Sequence, residues 1–541
     1  MAISSPSPRR SLSRRRWPWI TLGVLGLAIA GFAVALFEWS GASLNGDPTA
    51  LARVKSQPLA GSIESAHAFG PNGKRIPLTI ENGRLTPKTK LTPGEQVSVN
   101  VVVKRPGWLS WALGKERKET LTLTAPVAHV SDRWLTVSNG SPVKVDFDDP
   151  VTKVAYGDGT QLSRHRLPAP SDSLSLGTRP PAGTVSVAAA VRSWERLGHP
   201  VQVSWFPPAK APVAISKPAP DTKITPSTPL RLTFSTKVDD ALGSDLPTLT
   251  PKVPGHWHKA DSHTLVFTPS GFGAPFGANV HVDLPKAVAV RGPDGGGAKT
   301  TRRISWTVPA GSTLRLQQLL ADAGYLPVSW QPSGAPVART PAAEVAAATD
   351  PPDGSFSWRY GNVPHELSHM WIAGQPNQIV RGAIMMFQDN HKLDVDGFAG
   401  QQVWKALLSD AIAGKRRTAG YSYVYVHRNV PQLLTLWHNG HTVLTSPGNT
   451  GVPSAPTQLG TFPVFEHIAS GTMSGTNPDG SHYNDPGIKW ISYFNGGDAL
   501  HAFNRASFGT PQSLGCVELP LAAAAKVWPY TPIGTLVTIE N

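Results

Sequence analysis

Cysteine is nearly absent from this sequence, because Cys516 is the only one in 541 residues. A single thiol cannot form an intramolecular disulfide, so the folded domains must be held together by their hydrophobic cores. Since no second cysteine is available for acylation, a lipoprotein anchor is also excluded. The lone thiol is therefore either a small buried hydrophobic side chain or a reactive group.

Charged residues are also scarce, at 16% of the chain, whereas 40% of the residues are hydrophobic. A disordered protein would be more charged and less apolar. Basic residues outnumber acidic ones, 50 against 36, and the formal net charge is +14. Part of this excess is a group of arginines at positions 9, 10 and 14–16, and no nucleic-acid-binding motif with interleaved aromatic residues follows. We therefore expect no nucleic-acid partner; the remaining excess suits an exported protein that works among anionic polymers.

An uncharged apolar stretch, Trp17–Phe37, follows the basic residues 1–16. Its length of about twenty residues is enough for a helix to cross a bilayer. Arginines before it predict a cytoplasmic head at 1–16 and an extracytoplasmic position for everything beyond Glu38. A cleaved signal peptide is the alternative, but the apolar run is long and no clear A-x-A site follows. The sequence favours an uncleaved, single-pass membrane anchor at residues 17–37.

Residues 57–309 show short stretches of alternating apolar and polar residues, such as QVSVNVVV and PLRLTF, separated by Pro, Gly and Asn. This pattern predicts β-sandwich modules. We place an immunoglobulin-like sandwich at 57–125, a second sandwich at 126–211, and a module that resembles a bacterial immunoglobulin-like domain at 212–309. Such modules are expected to act as spacers, and we assign them no chemistry.

The composition changes at about residue 310, where helical spacing of apolar residues begins and the first helix is predicted to end at Gly324. Two further helices are predicted on either side of an Asp-Gly turn. The pieces resemble the halves of a small peptidoglycan-binding domain, at 310–413, interrupted by an insertion at 328–379. The residues that carry this resemblance are Leu316, Gln317, Phe387, Gln388, Asp396, Gly397 and Trp404.

The insertion contains His365-Glu366-Leu367-Ser368-His369, a literal H-E-x-x-H sequence. On a helix this spacing can hold zinc with the glutamate as general base. A catalytic zinc needs a third protein ligand, and the sequence lacks one: Ile372 stands where one protease class has Gly, and no glutamate occurs between Glu366 and Glu466. A short surface helix with solvent-facing side chains is therefore favoured over a zinc protease, and we expect no metal or cofactor.

The remaining chemistry is concentrated between His501 and Cys516. His501 follows the apolar pair Ala499-Leu500, as a residue at a strand end would, and Cys516 lies in the tight-turning run Ser513-Leu514-Gly515-Cys516. A nearby imidazole can take the proton of a thiol and make it a nucleophile.

At these residues the sequence resembles the L,D-transpeptidase catalytic domain, also called YkuD, which carries a His, a loop, and then Ser/Thr-X-Gly-Cys. The resemblance covers about residues 420–541 and implies a β-rich fold. Leu514 stands where His is usual, Glu518 where Arg or Asn is usual, and Ala502 where Gly or Ser is usual.

The resemblance implies a reaction on peptidoglycan stem peptides. His501 would deprotonate Cys516, the carbonyl of Ala502 would orient the imidazole, and the backbone at Ser513, Leu514 and Gly515 would support the oxyanion. The product would be a 3→3 cross-link made through a cysteine thioester with release of D-alanine, and carbapenems would inhibit it. An L,D-carboxypeptidase acting at the same site and a non-catalytic wall-binding protein remain alternatives.

The segment between Phe465 and Trp490 is polar and rich in glycine, which argues against a pair of strands. The resemblance implies a lid over the active site here, with Tyr483 and Trp490 as candidates to line the substrate channel. The whole chain is thus predicted to be multidomain and mainly β, with an N-terminal transmembrane helix, β-sandwich modules, a small helical domain and a C-terminal YkuD fold.

Overall fold

The structure is a computed structural model that describes residues 17–159, 161–285, 288–291 and 302–541, and the side chains from residue 27 onward within these ranges. The predicted cytoplasmic head at 1–16 lies outside the described residues. Contacts divide the described residues into two units, one that ends at residue 210 and one that begins at residue 211.

The first unit begins with helix α1, Trp17–Trp39, which contains the stretch predicted as a membrane anchor. Over the described residues, no helix is both long and apolar enough to qualify as a membrane span. The transmembrane prediction is therefore unsupported by the structure.

The next part of this unit is built from two antiparallel sheets, β1-β2-β6-β5 and β4-β3-β7-β8. Strand β7 shows why the sequence folds this way: Val97, Val99, Val101 and Val103 are all buried, while the residues between them are more exposed. The predicted boundary at residue 57 falls between β2 and β3. The elements are β1 (Ala42–Gly46), β2 (Ala52–Ser56), β3 (Ile63–Phe69), a 3₁₀ turn (Pro71–Gly73), β4 (Arg75–Ile76), β5 (Leu78–Glu81), β6 (Arg84–Pro87), β7 (Gln96–Lys104), α2 (Gly107–Leu113) and β8 (Glu116–Thr124).

The second half of this unit contains a sheet in the order β11-β10-β12-β13-β9. Two long strands pair through register shifts between Asp146 and Lys153, and their buried residues pack with those of β12 and β13. The elements are β9 (Trp134–Thr136), β10 (Pro142–Gly157), β11 (Ser163–Thr178), β12 (Gly183–Ala190) and β13 (Val201–Phe206).

The second unit starts with a sandwich of the sheets β17-β18-β15-β14-β20 and β16-β19-β21. Leu232 and Leu265 of one sheet and Val280 and Ile304 of the other are fully buried in a common core. The elements are β14 (Val213–Lys217), β15 (Leu230–Phe234), α3 (Val238–Leu242), β16 (Leu249–Thr250), β17 (Gly255–Asp261), β18 (Thr264–Pro269), β19 (Asn279–Asp283), β20 (Ala289–Val290) and β21 (Arg303–Thr307).

A helical region follows, and its core is continuous with that sandwich. Helix α4 ends at Asp322, and Gly324 follows with a φ of 82°, in agreement with the predicted helix end. The elements are α4 (Thr313–Asp322), β22 (Val328–Pro332), α5 (Pro341–Thr349), β23 (Gly354–Trp358), α6 (His365–His369), α7 (Gln378–Asn390) and α8 (Gln401–Ala413).

The residues on which the resemblance to a peptidoglycan-binding domain rests make structural contacts in this region. Phe387 and Trp404 are buried in the core. The Gln388 amide donates to Asp396 Oδ1 at 2.6 Å and its carbonyl oxygen accepts from Gly397 N at 2.9 Å, which fixes the turn between α7 and α8. These side chains therefore build the fold, and binding of peptidoglycan by this domain stays a prediction.

The H-E-x-x-H sequence forms α6, a helix of only five residues. The rings of His365 and His369 lie with their centroids 3.7 Å apart and their planes tilted by 38°, and His369 Nδ1 lies 2.9 Å from His365 O. Because a carbonyl only accepts, Nδ1 of His369 carries the hydrogen and donates it to the backbone of His365.

The C-terminal part of this unit consists of the sheets β26-β25-β24-β32-β27 and β28-β29-β30-β31. Their facing sides form one core, in which Val424 and Val537 of the first sheet meet Leu500 and Leu519 of the second. The elements are β24 (Ser422–His427), β25 (Leu433–His438), β26 (His441–Pro447), β27 (Gly460–Pro463), β28 (Glu466–Thr476), β29 (His482–Asn495), β30 (Asp498–Ala502), β31 (Val517–Leu519), α9 (Leu521–Val527), a 3₁₀ turn (Trp528–Tyr530) and β32 (Leu536–Glu540).

Helix α7 packs on this part of the chain, against β27 and β32. The approach is close at Gly382, where an added Cβ would lie 2.4 Å from Gly534 O. Glycine at 382 thus lets the helix backbone reach the sheet, which ties the helical region to the C-terminal fold.

The segment between Phe465 and Trp490 does form a pair of strands, so the prediction from its polarity is wrong. Strands β28 and β29 form a long antiparallel hairpin whose register runs from the Glu466–Tyr493 pair to the Thr476–His482 pair. The tip is closed by Asn477 N donating to Ser481 O at 2.7 Å. Its distal end is exposed, so the sequence needs no apolar alternation there, and this is why polarity was misleading.

Candidate active site

His501 lies in β30 and is held in one orientation. Its side chain is 4% exposed, and Nδ1 lies 3.0 Å from the carbonyl oxygen of Ala502, the contact that the resemblance implies. The carbonyl can only accept, so Nδ1 carries the hydrogen and Nε2 is left with a free lone pair. Burial lowers the pKa of His501, although the charge of Glu518 opposes this. The imidazole is therefore neutral and in the tautomer that a general base needs.

Cys516 lies on the same face of the sheet as His501. Strands β30 and β31 are parallel, with His501 opposite Glu518, and Cys516 precedes Glu518 by two residues. Cys516 itself lies just before β31 and packs in the same small cluster as Ala499. Because side chains alternate along β30, His501 shares the face of Ala499, away from the core that contains Leu500. The two residues that the sequence singles out therefore lie on one face of the sheet.

The sulfur of Cys516 is a neutral thiol in this environment. Burial raises the pKa of Cys516 to about 12, a backbone hydrogen bond from Ala499 opposes the rise, and the nearby acids Asp498 and Glu518 add to it. Sγ also lies 3.6 Å from the carbonyl oxygen of Gly497, to which the thiol hydrogen can be donated. The site therefore holds a thiol beside a neutral imidazole, and not a preformed ion pair.

This state predicts how the single cysteine of the folded protein reacts with iodoacetamide. The thiolate fraction rises tenfold per pH unit below the pKa, so the alkylation rate of the native chain should keep rising from pH 7 to pH 10. In urea, where the thiol has its ordinary pKa, the rate should level off near pH 9. A plateau below pH 9 in the native protein would contradict a buried neutral thiol.

The loop between His501 and Cys516 is fixed by Asn449. Its Oδ1 accepts from Gly509 N at 2.9 Å, and its Nδ2 donates to Ser507 O at 3.3 Å. The backbone of Asn449 exchanges both hydrogen bonds with Glu518. One fully buried amide therefore ties the loop to the strand that follows the thiol.

Ser513 and Gly515 shape the turn that carries the thiol. Ser513 Oγ donates to Cys516 O at 2.5 Å and accepts from Gly515 N at 3.3 Å. Gly515 has a φ of 119°, and an added Cβ would lie 2.2 Å from Asp498 Oδ1. Only glycine fits this position, both for its backbone conformation and for the close approach of the carboxyl group. Leu514 is partly exposed between them.

Glu518 forms a bidentate ion pair with Arg505 of the loop, at 2.7 and 2.8 Å. The carboxylate is 4% exposed, so Arg505 supplies the countercharge that burial requires. Arg505 also donates to Gln512 O at 3.2 Å. The unusual acid at position 518 therefore has a structural partner within this loop.

Two tyrosines of the β28–β29 hairpin are close to the thiol. Burial raises the pKa of Tyr483 and of Tyr493, and for both the charge of Cys516 adds to the rise. Tyr493 and Cys516 pack against the same small cluster, which contains Ile491. Tyr483 is thus placed near Cys516, and its role in lining the substrate channel stays a prediction.

Trp490, the other predicted channel residue, lies elsewhere. It packs against the core between the two sheets, while Cys516 packs on the opposite face. Its φ is 55°, so the strand is irregular at this position and the side chain points inward. The described contacts of Trp490 do not place it beside Cys516.

A cavity of about 770 Å³ adjoins the site on the side of His501. Its lining includes Asp485 and Lys489 of the hairpin and Ala502 and Phe503 next to His501. The charge of Asp485 also acts on His501 and raises its pKa. A carboxylate near the base, in an open cavity, can attract a positively charged group.

Comparison with known proteins identifies the C-terminal part of the chain. The family model of YkuD, the L,D-transpeptidase catalytic domain, matches residues 371–539. These residues form a YkuD domain. The matched range takes in helices α7 and α8 and so begins upstream of the predicted start at 420. None of the curated proteins that were compared matches the chain.

Solved structures of L,D-transpeptidases are similar to parts of the chain. The enzyme from Mycobacterium smegmatis is 11% identical, covers 60% of this chain and 97% of its own, and has a TM-score of 0.21. Transpeptidase 3 of Mycobacterium tuberculosis, in complex with a faropenem-derived adduct, gives the same values. The catalytic domain from Enterococcus faecium is 22% identical over 23% of this chain and 99% of its own, with a TM-score of 0.21. At these TM-scores, nothing follows for the arrangement of the whole chain.

Several residues of the site escape the sequence analysis. Asp498, Arg505 and Asn449 surround the thiol turn, yet each is an ordinary polar residue in the sequence. The pattern that could have indicated Arg505 is the single arginine between His501 and Glu518, because a buried acid requires a nearby cation. No comparable pattern indicates Asp498.

Proposed function

We propose that the YkuD domain is an L,D-transpeptidase that forms 3→3 cross-links in peptidoglycan through a thioester on Cys516. The observation that carries this proposal is the buried His501, whose Nδ1 is committed to Ala502 O and whose Nε2 is free, on the face of β30 where Ala499 and Cys516 pack. A cysteine and a base in this arrangement perform acyl transfer.

In the first half-reaction, Nε2 of His501 takes the proton of Cys516 while Sγ attacks the carbonyl carbon of the L,D peptide bond. The C–N bond to the terminal D-alanine then breaks, and the proton on Nε2 passes to the departing amine. N–H groups of Leu514 to Cys516 stabilise the oxyanion, for which Gly515 N must turn away from Ser513 Oγ.

In the second half-reaction, an amine of a neighbouring stem attacks the thioester. It loses a proton to Nε2 of His501, the C–S bond breaks, and Sγ of Cys516 recovers the proton. Asp485 lines the cavity beside Ala502 and Phe503 and is positioned to attract that amine in its charged form, which releases one proton to solvent before the neutral amine attacks. If water attacks in place of the amine, the same site acts as an L,D-carboxypeptidase.

Mass spectrometry of muropeptides tests this function. The full chain, incubated with a disaccharide tetrapeptide, should yield a dimer that lacks one D-alanine, and the Cys516→Ala variant should yield none. Tripeptide as the sole product would favour the carboxypeptidase. No product from the unaltered chain would favour a wall-binding protein without activity.

Inhibition by carbapenems follows from the same mechanism. Related solved structures include an Enterococcus faecium catalytic domain acylated by ertapenem and a transpeptidase in complex with imipenem. A carbapenem should likewise add its mass to Cys516 of this chain, by opening of the β-lactam ring by Sγ.

The substrate also implies a location. Peptidoglycan stems lie outside the cytoplasm, so we propose that the YkuD domain works at the cell wall, with residues 17–37 holding the chain at the membrane. Protease added to intact spheroplasts should degrade the domain; full protection would contradict this location.

A further inference from the structure

A separate pocket lies in the helical region, between α4, α5 and α8 and the β22–β23 hairpin. Its volume is about 380 Å³, and its wall includes Trp330 and Pro352. Part of the wall thus comes from the predicted insertion at 328–379, which interrupts the predicted peptidoglycan-binding domain. Neither His501 nor Cys516 lines it.

Arg315 forms the buried end of this pocket. Its side chain is 5% exposed, Nη2 donates to Glu344 Oε2 at 2.7 Å, and Nη1 donates to Gln318 Oε1 at 3.1 Å. Its Nε is buried and has no hydrogen-bond partner among the described residues. A buried N–H that lacks a partner is costly, and an acceptor bound in the pocket would remove this cost.

Among the other charged side chains that line the pocket, three have no ion pair over the described residues. They are Asp322 at the end of α4, Arg339 before α5, and Arg416 after α8. Lys415, by contrast, is paired with Asp410 at 3.2 Å. The pocket therefore presents two free guanidinium groups and one free carboxylate.

Asp322 has the environment of a binding group. Its side chain is exposed, yet the pocket walls surround it, and the resulting desolvation raises its pKa, while the charges of Arg315, Arg416 and Arg359 oppose the rise. A carboxylate that is accessible but poorly hydrated gains more from a bound cation than one in open solvent.

We propose that this pocket binds a zwitterionic amino acid or short peptide through both its carboxylate and its ammonium group. The ligand carboxylate lies between Arg339 and Arg416, with Arg315 Nε at its inner end, and the ligand ammonium group pairs with Asp322. A phosphate suits the site less well, because Asp322 and Glu344 would repel a dianion. This binding does not depend on the reaction at Cys516.

Titration of the full chain with glycylglycine, followed by calorimetry, tests the proposal. Two truncated probes each lack one charge: N-acetylglycylglycine lacks the ammonium group, and glycylglycinamide lacks the carboxylate. Each missing charge removes a charge-assisted contact, so each truncated probe should bind at least about tenfold more weakly. Equal affinity for all three, no binding of glycylglycine, or tighter binding of inorganic phosphate would overturn the proposal.

Two variants and a control test whether binding depends on the residues that line this pocket. Arg416→Gln should abolish the preference for glycylglycine over its amide, and Asp322→Asn should abolish the preference over the acetylated probe. Lys405→Gln removes an exposed charge of α8 that does not line the pocket, and should change neither. If all three variants weaken binding alike, the effect is general electrostatics and the proposed site is wrong. Circular dichroism should show that each variant is folded.

Discussion

Replacing His501 by glutamine is expected to slow the acylation of Cys516 by a carbapenem about a thousandfold. The reason is the thiol: burial raises the pKa of Cys516 to about 12, so at pH 7 only roughly one molecule in 10⁵ carries a thiolate without help. Nε2 of His501 is the base that removes the proton as the bond forms, and glutamine cannot do so. Formation of the adduct, followed by intact-protein mass spectrometry, measures the rate.

The pH dependence separates a lost base from a distorted site. In the unaltered chain the low pKa of His501, caused by burial, keeps the imidazole neutral and active well into the acidic range. In the His501→Gln variant the remaining rate should rise tenfold per pH unit, because it depends on free thiolate alone. His441→Gln, at an exposed position of β26, is the matched control. A rate that stays within threefold of the unaltered chain would remove His501 from the mechanism.

The sequence predicts the reacting pair because both residues belong to one short motif. His501 and Cys516 are fifteen positions apart, and the parallel pairing of β30 with β31 needs only a loop of that length. Ser513 and Gly515 are likewise local, since their roles depend on the turn that they form. A site of this kind can be recognised from residue types and spacing alone.

The rest of the site depends on contacts between distant segments. Asn449 reaches the loop from sixty residues upstream. The hairpin that carries Tyr483 and Tyr493 has mostly polar residues and glycines at its distal end, so apolar and polar residue types do not alternate there. The orientation of Trp490 depends on an irregular strand position, because a φ of 55° changes the face to which a side chain points. Local sequence patterns do not predict contacts between distant segments or the face to which a side chain points at an irregular strand position.

Exchange of Arg505 for methionine is expected to destabilise the loop by about 2–3 kcal/mol. Breaking a buried ion pair from one side costs about 3–5 kcal/mol, and the partial exposure of Arg505 reduces that figure. Glu518 is left buried without a countercharge, so the loop before Cys516 opens more often. Hydrogen exchange of residues 503–516 measures the opening of this loop directly. A melting temperature does not, because the chain has several domains.

The same change should move the pH profile of acylation in a defined direction. Glu518 raises the pKa of His501 and Arg505 lowers it. In Arg505→Met the charge of Glu518 is no longer opposed by Arg505, so the pKa of His501 rises. Protonated imidazole then persists to higher pH, and the acidic limb of the acylation rate shifts to higher pH. Adding Glu518→Gln removes that charge. The acidic limb of the pH profile should then return to its position in the unaltered chain, although the ion pair is still missing. A double variant whose limb stays shifted would show that Arg505 acts on His501 through loop geometry and not through charge.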